Sequence, residues 1–133
     1  MIPGFHVHLL RGWLQERGFD VIEALDSVQA WIKGLRSQAD VIVLDINMPG
    51  GSGIDVLKRL KTSGKTKHIP VLVVSGSGGS ELRELVRRLG AADLLEKPLE
   101  REQFCSAIAG LMVGSTESAP EKKHGVLGSV SRR

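Results

Sequence analysis

The sequence holds a single cysteine, Cys105. No internal disulfide can form, and one thiol alone is no metal site. No apolar run reaches the roughly 18 residues that a membrane span requires, so no membrane partner is expected. The N-terminal stretch MIPGFHVHLLRGW has no unbroken apolar segment followed by a small-residue cleavage site, and nothing there reads as an export signal. The expected location is cytoplasmic. A strong charge imbalance is also missing. Eighteen Lys and Arg against 15 Asp and Glu leave +3. Residues 114–133 supply +2 of it, with Lys122, Lys123, Arg132 and Arg133 set against Glu117 and Glu121. The body at +1 is too mild to argue for nucleic acid. What remains is ordinary in size: 133 residues, 41% hydrophobic and 25% charged, enough for one domain with a real core.

Two segments are nearly continuous in apolar, β-branched character: 41–44 (Val-Ile-Val-Leu) and 69–74 (Ile-Pro-Val-Leu-Val-Val). Strands buried on both faces of a parallel sheet read this way. Segments 19–24 and 92–96 are more polar versions, as edge strands often are. Between them lie helical stripes. Val28, Trp31, Ile32 and Leu35 fall on one face, as do Leu82, Leu85, Val86 and Leu89. Phe5, Leu9 and Trp13 form a further stripe with Leu10 and Leu14 beside them. Ile54, Leu57 and Leu60 form another, and Phe104, Ile108 and Leu111 the last. Gly18 and Gly90 read as helix stops, and Asp26 with Gln29 as a capping box. Helices alternating with strands predict a doubly wound parallel sheet, whose ligand site lies beyond the C-terminal ends of the strands.

Those ends carry chemistry. Asp45 follows the strand at 41–44, Ser75-Gly76 the strand at 69–74, and Lys97-Pro98 the strand at 92–96. A carboxylate, a hydroxyl and an ammonium on one rim suit an aspartyl-phosphate. Asp45 can attack phosphorus, Ser75 can donate to a phosphoryl oxygen, and Lys97 can neutralise charge. Gly76 leaves room beside the incoming group.

At these residues the chain resembles the receiver domains of two-component response regulators. The resemblance runs from about Gly4 to Met112 and rests on VIVLDINMPGGSG (41–53), IPVLVVSG (69–76) and GAADLLEKPL (90–99). It implies a flavodoxin-like fold. It also implies that Asp45 accepts phosphate from a histidine kinase or phosphotransfer protein, and that Ser75 and Lys97 bind the phosphoryl group. The Lys97–Pro98 bond is implied to be cis. Asn47 and Ser77, two residues beyond the acceptor and the hydroxyl, are implied to flank the hydrolytic water and to tune dephosphorylation. Signalling by docking to a downstream protein through the family's fourth helix, fifth strand and fifth helix is implied as well. The chain would be no enzyme beyond its own phosphotransfer and dephosphorylation.

The departures are two. Family members open with a hydrophobic strand ending in two acids that bind Mg²⁺. Here Pro3 and Gly4 precede a helical pattern, and no acid occurs before Glu16. The metal ligands left are Asp45 and the backbone carbonyl of Asn47, a poor set. The fold expected is therefore an N-terminally truncated sheet of four strands and five helices over 1–113, with 114–133 a disordered tail. An upstream segment rich in Val, Ile and Leu and ending in two acids is expected to complete it. Leu94 is the second departure, standing where many members carry a Tyr or Phe that changes rotamer on activation.

Simpler roles suit other residues. His6 and His8 point to different helix faces and form no metal pair. His68 and His124 read as surface residues, Trp13 and Trp31 as core, and Cys105 as a partly buried, inert thiol. Lys58, Arg59, Lys61, Lys65 and Lys67 read mostly as a solvated helix face and loop, with docking of an acidic partner the sharper alternative. Without its acidic pair, the chain has a second reading: a phosphorylation-independent pseudo-receiver used as an interaction module. A third, a phosphatase using Asp-x-Asp, is disfavoured because Asn47 stands at the general-acid position and cannot supply a carboxylic proton.

Overall fold

The computed structural model describes residues 3–24, 26–46, 53–76, 79–113 and 123–128. Five helices and five strands alternate along them. They are α1 (Pro3–Glu16), β1 (Phe19–Ala24), α2 (Ser27–Ser37), β2 (Val41–Asp45), α3 (Gly53–Thr62), β3 (Val71–Ser75), α4 (Gly79–Arg88), β4 (Asp93–Glu96), α5 (Arg101–Val113) and β5 (Lys123–Gly128). The strands form one parallel sheet in the order β1-β5-β2-β3-β4. The polar segments at 19–24 and 92–96 lie at its two edges, as their composition implies.

Alternation along each strand sorts the core into two layers. Val41, Val43, Leu72 and Val74 point to one face, where Leu10 and Leu14 of α1 and Phe104 and Ile108 of α5 cover them. Ile42, Leu44, Val71 and Val73 point to the other, against Ala30, Val56, Leu57, Leu60 and Val86 from α2, α3 and α4. The continuous apolar runs are thus explained by burial on both sides. Punctuation follows the sequence reading. The Asp26 carboxylate accepts from the Gln29 backbone N–H at 2.8 Å and caps α2. Gly18 and Gly90 sit at φ +92° and +106°, where a Cβ is strained.

Two expectations need correction. The α/β class stands, but the sheet has five strands, not four, because part of the supposed tail is β5. It lies in the centre, pairing with β1 from Phe19↔Lys123 to Ala24↔Gly128 and with β2 from Val41↔Gly125 to Leu44↔Gly128. His124 is therefore a strand residue opposite Asp20. The segment KHGVLG carries neither alternation nor a long apolar run. Its place follows from a backbone need: without it β1 and β2 would leave a row of N–H and C=O groups unpaired in the middle of the sheet. Residues 114–122 and 129–133 lie outside the described residues.

The stripe on α2 is the second correction. Trp31 and Leu35 are only partly buried, while Val28 and Ile32 are 60% and 40% exposed. Trp31 packs against the core layer, and small residues make the closest approach beside it. Ala30 is buried, and a Cβ on Gly34 would stand 3.2 Å from Leu60 Cδ2. Close helix approach selects small side chains, and apolar periodicity does not distinguish that face from its neighbour.

The lysine cluster is mostly solvated, as expected. Lys58, Lys65 and Lys67 are exposed, but Lys61 Nζ donates to the backbone carbonyls of Lys67 and Ile69 at 2.8 and 2.9 Å. Arg59 lies over the Trp31 ring at 5.6 Å from its centroid, tying α3 to α2. Trp13 stacks near Phe104, with ring centroids 5.8 Å apart. Cys105 is buried beside them.

Candidate phosphoacceptor site

Three strand ends build the rim. Asp45 is the last residue of β2, Ser75 the last of β3, and Lys97 follows β4. Parallel pairing brings the ends level: Asp45 stands opposite Val74, and Ser75 opposite Glu96. The Lys97 backbone N–H donates to the Ser75 carbonyl at 2.8 Å, extending the ladder one residue beyond β4. The Lys97–Pro98 peptide is cis.

Lys97 Nζ donates to Asp45 Oδ2 at 2.8 Å. The side chains are 20% and 13% exposed, so the pair is shielded yet open to solvent on one side. The contact places a carboxylate oxygen and an ammonium side by side at the strand ends. Ser75 is 1% exposed, buried at the floor of the rim. A Cβ on Gly76 would meet nothing within 4 Å, so the space next to Ser75 is open. The sequence-predicted acceptor, hydroxyl, ammonium and gap thus share one rim. Asn47 and Ser77 lie outside the described residues.

Gly53 is a positioning residue that the motif contained without its role being read. It opens α3, and its N–H donates to the Ile46 carbonyl at 3.3 Å. A Cβ there would fall 2.7 Å from the Ile46 Cα and carbonyl oxygen. Only glycine lets α3 sit directly on the backbone that follows Asp45. The signal was the glycine-rich sequence Gly50-Gly51-Ser52-Gly53, whose last member has a packing reason. Leu94 is buried against the α2–α4 layer, so no aromatic side chain can flip at that position.

The metal reading fits less well. No group of three or more His, Cys, Asp or Glu that could hold a metal occurs among the described residues. Asp45 Oδ2 is engaged by Lys97. The strand beside it ends in Gly128, opposite Leu44, and brings no carboxylate. A Mg²⁺ site needs one or two carboxylates held in octahedral geometry. Among the described residues Asp45 brings one carboxylate to the rim, and no cluster of three ligands forms around it.

Residues 5–109 match the response regulator receiver domain family. The chain belongs to that family. This receiver domain is 35% identical over 106 residues to the response regulator PleD of Caulobacter vibrioides (strain NA1000 / CB15N), covering 80% of this chain and 23% of that protein. To the phosphate regulon transcriptional regulatory protein PhoB of Escherichia coli (strain K12) it is 34% identical over 99 residues, covering 74% of this chain and 43% of PhoB. The chain thus spans less than half the length of the curated relatives it matches. The fold is also that of the receiver domain of a Pseudomonas aeruginosa PAO1 sensor histidine kinase, solved with a magnesium ion in its active-site cleft. That match has a TM-score of 0.76 at 20% identity, over 86% of this chain and 93% of that one. The Vibrio cholerae chemotaxis protein CheY4 matches with a TM-score of 0.72 at 26% identity, over 78% of this chain and 87% of that one. No helix among the described residues is long and apolar enough to cross a membrane.

Proposed function

We propose that this receiver domain takes a phosphoryl group from a histidine kinase or phosphotransfer protein onto Asp45 and signals by docking to a downstream protein. The observation that carries the reading is the Asp45–Lys97 pair at 2.8 Å beside a buried Ser75 and an open Gly76. In the transfer an Asp45 carboxylate oxygen forms a bond to phosphorus as the donor's bond to phosphorus breaks, and the donor's leaving group keeps the electron pair. The Lys97 ammonium then pairs with a phosphoryl oxygen, and the Ser75 hydroxyl donates to another. Asn47 and Ser77 set the access of hydrolytic water, and so the lifetime of the product. The docking face is α4, β4 and α5; the charged outer side of α4, with Glu81, Glu84, Arg87 and Arg88 exposed, suits a polar protein surface. The near-neutral body supports a protein partner over nucleic acid. Chemistry beyond this self-directed phosphotransfer and hydrolysis is not part of the reading.

One observation favours the phosphorylation-independent alternative. The central strand brings no carboxylate to the rim. Incubation with a small phosphodonor, with and without Mg²⁺, followed by intact mass, separates the two. One phosphoryl group on the chain and none on Asp45→Asn supports the acceptor reading. No incorporation under either condition, with the fold intact, assigns the domain to the pseudo-receivers.

A further inference from the structure

Among the described residues, the large apolar side chains left exposed are Leu9, Val28 and Ile32, and the last two stand one turn apart on α2. The partly buried Leu35 continues their stripe at i, i+4, i+7, the spacing of a helix–helix seam. Trp31 flanks the stripe on the side of α3, and Arg59 of that helix lies over its ring. Toward its C-terminal end the stripe runs into a cleft of about 860 Å³, whose lining includes Leu35, Arg36, Lys65, His68 and Ile69. Asp40 and Pro70 on the same wall precede β2 and β3, so the cleft lies at the end of the sheet away from Asp45.

Charge sets this face apart. The ion pairs among the described residues are Arg11–Glu23, Arg83–Asp93, Arg87–Glu84, Lys97–Asp45 and Arg101–Glu16. None of them uses Arg36, Lys58, Arg59 or Lys65, all exposed on α2, α3 and the loop after α3. The nearby carboxylates are Asp55 on α3, Asp40 in the cleft, and Asp26, which caps α2. An apolar stripe thus lies beside a surplus of cations.

We propose that the face formed by α2 and α3 docks an acidic amphipathic helix of another protein. Its apolar side chains lie on Val28, Ile32 and Leu35, and its carboxylates turn toward Arg36, Arg59 and Lys65. The stripe supplies register and burial, and the cations select the sign of the partner's charge. A second copy of this chain would set the same cations against each other, which is unfavourable. A nucleic acid would answer the cations but leave the stripe in water. The inference concerns a face other than α4, β4 and α5 and does not depend on phosphate chemistry at Asp45.

The probe is a fluorescein-labelled peptide of about 15 residues, long enough to lie along all of α2. It carries leucines at i, i+4, i+7 and i+11, with glutamate and alanine elsewhere, and is added to the full chain. Expected is saturable anisotropy binding with a Kd on the order of 0.1 mM at about 0.1 M salt, weakened roughly fivefold at about 0.5 M. Val28→Asp/Ile32→Asp should weaken it roughly tenfold or more, with circular dichroism unchanged because both side chains are exposed. If that variant does not fold, Val28→Ser/Ile32→Ser takes its place with the same expectation. Arg36→Gln/Lys65→Gln should weaken binding roughly fivefold and flatten its salt dependence. The proposal is overturned by no saturable binding up to about 1 mM. It is overturned equally if the stripe variant binds like the parent, or if a peptide with lysine in place of glutamate binds as tightly. Displacement of the probe by a single-stranded oligonucleotide at lower concentration would assign the face to nucleic acid instead. Concentration-dependent dimerisation that excludes the probe and is lost in the stripe variant would assign it to a second copy.

Discussion

The half of the sheet that carries the site, β2, β3 and β4, differs in kind from the half formed by β1 and β5. In the first, side chains do the specifying. Ile42, Leu44, Val71 and Val73 are 1% exposed or less, and each strand end delivers one chemical group to the rim. In the second, a six-residue strand with two glycines is held by pairing to both neighbours, and the covering helix α2 leaves Val28 and Ile32 in solvent. Residue identity determines the site half, so its chemistry can be read from a few motifs. The other half is determined by an unmet need for backbone partners.

The contrast breaks most sharply under core truncation. Leu44 is fully buried in the α2–α4 layer, next to Asp45. Leu44→Ala should lose about 2–5 kcal/mol through lost burial and the cavity left behind. Val28→Ala, on an exposed face of the other half, should stay within about 0.5 kcal/mol. Urea unfolding monitored by circular dichroism measures both. Equal losses would mean that α2 is held through its apolar stripe after all.

Backbone disruption should invert that ranking within the β1–β5 half. Val126 lies opposite Ile22 on one side and Ile42 on the other. Val126→Pro removes a ladder donor from a strand paired on both flanks, where proline is essentially never tolerated. Leaving a buried partner unsatisfied costs about 1–3 kcal/mol. Val126→Ala keeps the donor and should cost less. Thermal melts of the two variants decide it. If the proline and alanine variants melt together, β5 contributes no ladder in solution.

This difference also explains what the sequence revealed. The strands at 41–44 and 69–74, the edge character of 19–24 and 92–96, and the convergence of Asp45, Ser75 and Lys97 were legible because each rests on side-chain pattern or on residue type at a strand end. β5 was illegible because its place depends on a vacancy elsewhere in the sheet, which no local window contains. The inward face of α2 was misread because Ala30 and Gly34 contribute little to an apolar stripe, though close packing requires them. Gly53 stood in plain view within the motif. Its role became evident only when the Ile46 backbone was found 2.7 Å from where a Cβ would lie.

The smallest effect belongs to the loop that joins α3 to β3 and so sets the start of the site half. Thr66 is fully buried and donates through Oγ1 to the Leu60 carbonyl at 2.6 Å. Lys61 Nζ holds the carbonyls of Lys67 and Ile69. Burial lowers the Lys61 pKa from the ordinary lysine value of 10.5. Between that lowered value and 10.5 the unfolded chain binds more protons than the folded one, so stability from this group rises with pH across the window. Below the window the desolvation cost is fully present; above 10.5 it is gone. Lys61→Met abolishes the dependence and removes two hydrogen bonds, a loss of about 1 kcal/mol at neutral pH. The gap in stability between the parent and Lys61→Met should widen as pH rises through the window, then level off. Urea midpoints at pH 7, 9 and 10.5 measure it. A gap that narrows with pH would mean that the ammonium gains more from the two carbonyls than it loses by leaving water.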